Sequence, residues 1–377
     1  MKILFVTVGF FPQQTGGAES QARLQALQLK ENGHEVIILT KSNNLRPSKD
    51  FVDGILVIRI PLIKIRLLGT IFHLFCLMSL QAVLKNRYDL IHVHLANLNA
   101  DVSTFAGRWL KKPVYVKLAS GGTSGEIFRF KKLANLTKYF GLRNANRVQA
   151  ISTEIFEEAK SIGVLPERLV MIPNGVEVNQ SIDIKGDRER ESIALRLELK
   201  IPESDFIFLY LGRIATYKGI DDLLNAWSLS NFGSNTHLLL VGPVALDKPY
   251  EIRQSLKNVH LLGNQVNTLK FVLGSSCFIL PSHGEGMSNA LLEAMANKLP
   301  VIATSVGATP ELLNFGAGGL IVPPHNPAQL SQAMIYSYRN YDEIMELANH
   351  SYSEILSEYE IGSVSKRIIA EYTKILQ

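Results

Sequence analysis

Along this chain, short and nearly unbroken apolar runs alternate with longer segments in which apolar residues recur every three or four positions. In the first half the runs are 3–8, 36–40, 55–60, 90–93, 113–118, 148–152 and 170–172. Unbroken runs predict strands buried on both faces, as in parallel sheets, where half-exposed strands would alternate. A helix is predicted over 18–31 and stopped by Gly33. The second half repeats the scheme, with strands at 206–211, 238–241, 259–262, 277–280 and 300–303. Helices are predicted from about Ile220 and from Ser288 or Asn289, with a last one over 361–376. Between the halves, 179–205 is polar and charged, with a short helix at 188–199. The pattern predicts two Rossmann-like α/β domains, 1–180 and 200–359, joined by a linker at 181–199.

Two apolar stretches resemble other things. Residues 1–11 carry one lysine and then an apolar run, as a signal peptide does. They lack a small-residue cleavage site and lead into a Pro-Gly-Gly loop, so a first strand is expected. Residues 67–84 hold no Asp, Glu, Lys or Arg and reach the lower limit for crossing a bilayer. Gly69, Thr70, His73, Ser79 and Gln81 dilute the run, and strands flank it. A helix packed on the sheet is expected, ahead of a membrane-touching helix or a true span.

Composition changes this picture little. The 377 residues are 46% hydrophobic and 19% charged, enough for two cores and no disordered tail. A net charge of +5 suits anionic ligands or an anionic membrane surface and is too diffuse for nucleic acid. Much of it lies at 108–147, where basic residues greatly outnumber the single acid, Glu126. The segment 126–142 reads as a basic amphipathic helix able to lie on an anionic leaflet, with Lys131, Lys132 and Lys138 on it. Cys76 and Cys277 both sit in apolar runs and are expected to be buried free thiols.

The densest candidate chemistry is at 277–313. A strand ends in Pro281-Ser282, a loop His283-Gly284-Glu285-Gly286 follows, and a helix starts where Ser288 or Asn289 can cap it. Backbone N–H groups at such a start favour an anion such as a diphosphate. Glu285 lies at the mouth of the site, and Glu293, eight positions on, lies in the helix. Carboxylates only accept hydrogen bonds, which suits the hydroxyls of a sugar and a ribose. After the strand 206–211 comes Gly212-Arg213-Ile214-Ala215-Thr216-Tyr217-Lys218-Gly219. That puts an Arg and a Lys at the strand end, where open α/β sheets bind ligands. Together they suit a phosphate and the charge on a departing diphosphate. Two glycines, Gly16 and Gly17, open the first helix and let a ligand approach the backbone.

These residues resemble a known family. The string PS-x-x-EG-x-x-x-x-LLEAMA-x-x-x-PV-x-A-T-x-VG-x-x-P-E-L is similar to the donor site of the retaining GT-B glycosyltransferases, the glycosyl transferases group 1. So are G-R-x-x-x-x-K-G at 212–219, F-x-P-x-x-x-GG-x-E at 10–19 and P-N-G-V at 173–176. The likeness is dense after Gly212 and patchy before Asn174. It implies two Rossmann-like domains facing a central cleft, with residues 360–377 crossing back to the first domain.

The resemblance also implies roles. Glu285 would lie against the transferred sugar and Glu293 would hold the ribose, while Arg213 and Lys218 would clamp the phosphates. Gly16, Gly17, Gly212, Gly242, Val266, Gly286, Met287 and Ser288 would complete the donor site. Val266 belongs to the loop whose backbone reads the base. Glu19, Ser120 and Gly121 would stand on the acceptor side. The pair His92 and His94 offers no third ligand to a metal, and the strand is expected to end at the cleft, as the similar D-x-x-H-x-H segment does.

One departure matters. Where many members carry T-x-H-G with a His on the transferred sugar, this chain reads Lys117-Leu118-Ala119-Ser120-Gly121-Gly122, so no catalytic His is nominated. The implied reaction is transfer of a hexosyl group from a UDP- or GDP-linked donor to an acceptor hydroxyl, with retention and without a metal or other cofactor. The implied acceptor is a saccharide or lipid-linked saccharide of a bacterial surface polysaccharide: O-antigen (lipopolysaccharide), capsule or exopolysaccharide. The expected place is the cytoplasm, with peripheral contact at the inner face of the membrane. A nucleotide-sugar epimerase of the same fold and a non-catalytic sugar-nucleotide-binding scaffold are the rival readings.

Overall fold

A computed structural model describes residues 1–14, 16–61, 63, 65–121, 125, 127, 139–178, 184–245 and 256–377. The chain divides into two compact units, Met1–Gly175 with Ile361–Gln377, and Val176–Glu360.

The first unit is built on an eight-stranded sheet. Its strands are β1 Lys2–Val6, β2 Glu35–Lys41, β3 Ser48–Val52, β4 Ile55–Ile60, β5 Leu90–His94, β6 Val114–Lys117, β7 Arg147–Ala150 and β8 Leu169–Met171. The order is β3-β4-β2-β1-β5-β6-β7-β8, parallel except for the antiparallel pair β3–β4. The apolar runs form its centre: Ile3, Leu4, Phe5, Ile38, Leu90 and Ile91 are wholly buried. Burial of that kind is worth ~1.5–3 kcal/mol per large side chain. The run at 48–52 is polar and mostly exposed, which is why hydropathy did not reveal β3 at the edge.

The C-terminal helix Ile361–Leu376 belongs to this unit, as expected. Val364, Ile368 and Tyr372 join the core formed by Phe5, Leu29 and Ile38. Arg147 pairs with Glu371 at 2.8 Å, and Arg367 donates to the Met171 carbonyl at 2.9 Å. His92 and His94 are buried within this unit, His94 as the last residue of β5. Their rings stack at 4.2 Å, and His92 Nδ1 lies 2.5 Å from the Tyr372 hydroxyl. Burial foremost, with Lys117 beside both and His94 beside His92, holds both imidazoles well below their ordinary pKa and so neutral.

The second unit carries a six-stranded parallel sheet in the order β11-β10-β9-β12-β13-β14. Its strands are β9 Phe206–Leu211, β10 Thr236–Val241, β11 Val259–Gly263, β12 Cys277–Leu280, β13 Val301–Thr304 and β14 Leu320–Val322. Phe208, Tyr210, Leu238, Leu240 and Ile279 are fully buried against Leu223 and Trp227 of the helix Ile220–Ser230. The boundary lies at Gly175/Val176, and the helix placed in the linker, observed as Ile184–Leu199, is part of this unit. Its Leu195 is wholly buried, Arg196 donates to the carbonyls of Pro202 and Asp205, and Glu198 pairs with Lys270. Its exposed face is so charged that composition alone reads as linker.

Cys277 is buried, which pushes its thiol pKa far up, whereas Cys76 is only half-buried. The stretch at 67–84 forms the helix Arg66–Val83, buried on the side of His73, Leu77 and Gln81. The expected basic helix 126–142 falls mostly outside the described residues, with Lys131, Lys132 and Lys138 among those omitted.

Candidate active site

Both sheets reverse direction beside their first strand. From β1 the chain builds outward through β2, then returns to place β5 on the other side; from β9 it builds through β10 and β11, then places β12 opposite. Such reversals splay the two following loops apart at the C-terminal ends of the strands, leaving a crevice for a ligand. In the second unit these loops are 212–219, after β9, and 281–288, after β12. They carry most of the residues that the sequence singled out.

Lys218 and Glu285 meet there. The ammonium lies 2.6 Å from Glu285 Oε1, and the Ser282 hydroxyl donates to the same oxygen at 2.7 Å. Both charged side chains are mostly buried, 21% and 11% exposed, so the pair is less screened than a surface ion pair. Backbone contacts hold the two loops in register. His283 N–H donates to the Tyr217 carbonyl at 3.1 Å, and Thr304 Oγ1 donates to the Ser282 carbonyl at 2.6 Å. Two glycines are required for this. Gly219 has φ +70°, and a Cβ there would lie 1.8 Å from the Pro281 carbonyl oxygen. Gly307 has φ +54°, and a Cβ would lie 2.3 Å from the Glu285 carbonyl oxygen. Any side chain at either position would drive the loops apart.

The helix Asn289–Ala296 follows. Ser288 is the residue that caps it, accepting from Leu291 N–H at 3.4 Å, while Asn289 is its first residue. Glu293 lies in its second turn, half-buried among Leu291, Leu292, Ala294 and Met295. Desolvation pushes its carboxyl up to about 7. A carboxyl so placed is poised to accept hydrogen bonds from a ligand that stabilises its ionised form.

The remaining donor-side residues lie around the same edge. Gly212 follows β9 and Gly242 follows β10, packed so closely that Gly212 N–H donates to Val241 and Gly242 N–H to Gly263. Arg213 is exposed, with no ion pair to a described residue, and Val266 after β11 is fully exposed. Gly286 accepts from Ala308 N–H at 2.8 Å, and Met287 is buried.

Five predicted residues belong to the first unit. Gly16 is the extended residue before the helix Gly17–Glu31, and Glu19 lies in its first turn. All three follow β1, beside that sheet's reversal. The adjoining Phe10 and Phe11 carbonyls are gripped by the buried Arg59 guanidinium. Ser120 and Gly121 follow β6, and Gly121 is buried against Glu154 and Ile155.

Sequence reasoning did not single out Ser282, although it stands in the quoted string, nor the bond between Lys218 and Glu285. It also missed Gln21. That side chain donates to the Gly175 carbonyl at 2.8 Å and accepts from Gly175 N–H at 3.2 Å, fixing the P-N-G-V turn.

The chain and its fold are similar to those of known proteins. Residues 205–340 match the family model described as Glycosyl transferases group 1, and residues 15–180 match the one described as Glycosyltransferase Family 4. An uncharacterized glycosyltransferase of Methanocaldococcus jannaschii is 26% identical over 99% of this chain and 98% of its own length. The N-acetyl-alpha-D-glucosaminyl L-malate synthase of Bacillus anthracis is 24% identical over 92% of this chain and 90% of its own. Among solved structures, Anabaena HepE in complex with UDP-glucose superposes with a TM-score of 0.77 at 17% identity, covering 99% of this chain and all of that one.

Proposed function

Since this chain belongs to the GT-B glycosyltransferases, the glycosyl transferases group 1, we propose that it transfers a hexosyl group from a nucleotide-sugar donor to an acceptor hydroxyl with retained configuration. The observation that carries the donor assignment is the Lys218–Glu285–Ser282 cluster at the reversal of the second sheet. The bond from the anomeric carbon to the diphosphate breaks with its electron pair on the phosphate oxygen. The acceptor oxygen forms the new bond on the same face of the sugar, and its proton passes to the departing phosphate. Lys218 and Arg213 neutralise the charge that develops there, and Glu285 orients the sugar through its hydroxyls. Glu293 accepts from the ribose diol. No step is assigned to a metal or to a histidine base. UDP is the favoured nucleotide, because the solved complex of HepE holds UDP-glucose.

A panel of UDP- and GDP-sugars, offered with and without saccharide acceptors, tests the reading through nucleotide release and the anomeric configuration of the product by NMR. Acceptor-dependent release with retention is expected. Conversion of donor alone to its epimer would favour the epimerase, and donor binding with no release for any acceptor would favour the scaffold.

The acceptor we favour is a lipid-linked saccharide of a surface polysaccharide, met at the cytoplasmic face of a membrane. No helix among the described residues is long and apolar enough to cross a membrane. Yet the helix Arg66–Val83 exposes Leu68, Ile71 and Phe75, and the neighbouring helix Leu98–Leu110 exposes Phe105 and Trp109, all between 56% and 68%. The two helices are joined by Gln81 to Ser103 at 2.7 Å and by His73 to Asn99 at 3.2 Å. Aromatic and aliphatic side chains at three- and four-residue spacing, near Arg108 and Lys111, suit an anionic lipid interface. Sedimentation with phosphatidylglycerol vesicles is expected to carry down the wild type and to leave the Phe75→Ser, Trp109→Ser double variant mostly in solution. Equal recovery of the two would remove this face from the reading. A small soluble acceptor would then become the better assignment, as the name of the Bacillus anthracis malate synthase suggests.

A further inference from the structure

The second unit holds a cluster that the transfer reaction does not use. Asp222 lies in the first turn of the helix Ile220–Ser230, His283 in the loop after β12, and His325 in the turn after β14. His283 Nε2 lies 2.8 Å from Asp222 Oδ2. The rings of His283 and His325 are 3.8 Å apart at 35°. One donor atom from each of the three lies within 4.8 Å of the other two. We propose that Asp222, His283 and His325 form a binding site for a divalent transition-metal ion of the zinc class.

The donor set argues for this class of ion. Two imidazole nitrogens and one carboxylate suit zinc and its neighbours, whereas magnesium and calcium take oxygen donors almost exclusively. Zinc bonds of ~2.0–2.1 Å at a tetrahedral angle separate donors by about 3.4 Å. The Asp222–His283 pair is already near that distance. His325 is exposed and packs its ring on that of His283, so a rotation of its side chain on the solvent side brings its nitrogen in. Three protein ligands leave a fourth position for water. The segments that supply the ligands are far apart in sequence, His283 being 61 residues from Asp222, so no short motif announces the site.

The site is a cross-link, and its position gives it a consequence. Asp222 stands four residues after Lys218, and His283 stands two before Glu285. A bound ion would tie the helix after Lys218 to the loop bearing Glu285 and brace both against the turn after β14. Such an ion stabilises the folded chain by mass action and takes no part in bond making.

The proposal is tested on the full-length protein, stripped with a chelator and titrated with zinc alone in equilibrium dialysis. One zinc per chain is expected, with a rise in melting temperature, and neither magnesium nor calcium at the same concentration reproduces it. His325→Ala is expected to weaken zinc binding at least about tenfold while leaving the metal-free melting temperature unchanged, because its ring is exposed. Asp222→Asn should do the same, and His34→Ala, outside the cluster, should not. Failure of the wild type to take up stoichiometric zinc would overturn the site. So would wild-type affinity in both His325→Ala and Asp222→Asn. Neither result bears on donor turnover, so this proposal and the transfer reaction stand or fall separately.

Discussion

Replacing Lys218 by alanine is expected to lower turnover about 100-fold with little change in melting temperature, the loss typical of one group that stabilises developing charge. The structure adds a condition to that expectation. Lys218 and Glu285 hold one another at 2.6 Å, so removing the lysine also releases Glu285, which among the described residues keeps the Ser282 hydroxyl. Glu285→Gln should therefore lower turnover too, and the double variant should lose much less than the product of the two single losses, as groups acting as a unit do. Arg213→Ala, at an exposed position, should cost at least about tenfold and combine with Glu285→Gln multiplicatively. Steady-state rates for the three single variants and the two doubles check this. Near-wild-type turnover of Lys218→Ala would remove the lysine from the site. Multiplicative losses for the Lys218 and Glu285 pair would break their coupling.

The second large effect sets stability against binding. The Glu293 carboxyl is pushed up to about 7 by desolvation, above its value in an unfolded chain. The folded state therefore binds the proton more tightly than the unfolded state does. Stability is highest below the unfolded pKa, falls as pH rises toward about 7, and is lowest above it. The penalty is of order 3 kcal/mol above pH 7. Glu293→Gln removes it and is expected to raise the melting temperature at about pH 8 while leaving it nearly unchanged at about pH 4. The same substitution should weaken binding of the nucleoside diphosphate at least about tenfold, because a ribose diol donates best to an ionised carboxylate. In the wild type, that affinity should improve as pH rises through 7. Calorimetry across pH, with and without nucleotide, measures both effects. Unchanged nucleotide affinity in Glu293→Gln would sink the ribose role, and a lower melting temperature at pH 8 would show that the carboxylate is not paying a burial cost.

Much of this protein follows from local order in the sequence. A strand buried on both faces must be apolar throughout, so β1, β2, β5, β9, β10 and β12 announce themselves as unbroken runs such as Phe206–Leu211. The proposed donor-site loops carry glycine and cations at fixed offsets from a strand, so Gly212, Arg213, Lys218 and the loop of Glu285 can be singled out without a structure. What local order cannot carry is contact between distant segments. The edge strand β3 is polar, because one of its sides faces water, and so it leaves no apolar signal. The helix Ile184–Leu199 has the charge of a linker, and only its buried Leu195 and the bonds of Arg196 make it part of the second unit. His92 and His94 have the spacing of a ligand pair, yet the packing of Tyr372, 280 residues from His92, seals them in a core. The sequence by itself determined the central strands of the two sheets and the residues on their loops, since each needs only its neighbours in the chain. Only the tertiary structure decided that Lys218 meets Glu285 and that Asp222 meets His283, because parallel strands bring together loops that lie 61 to 67 residues apart.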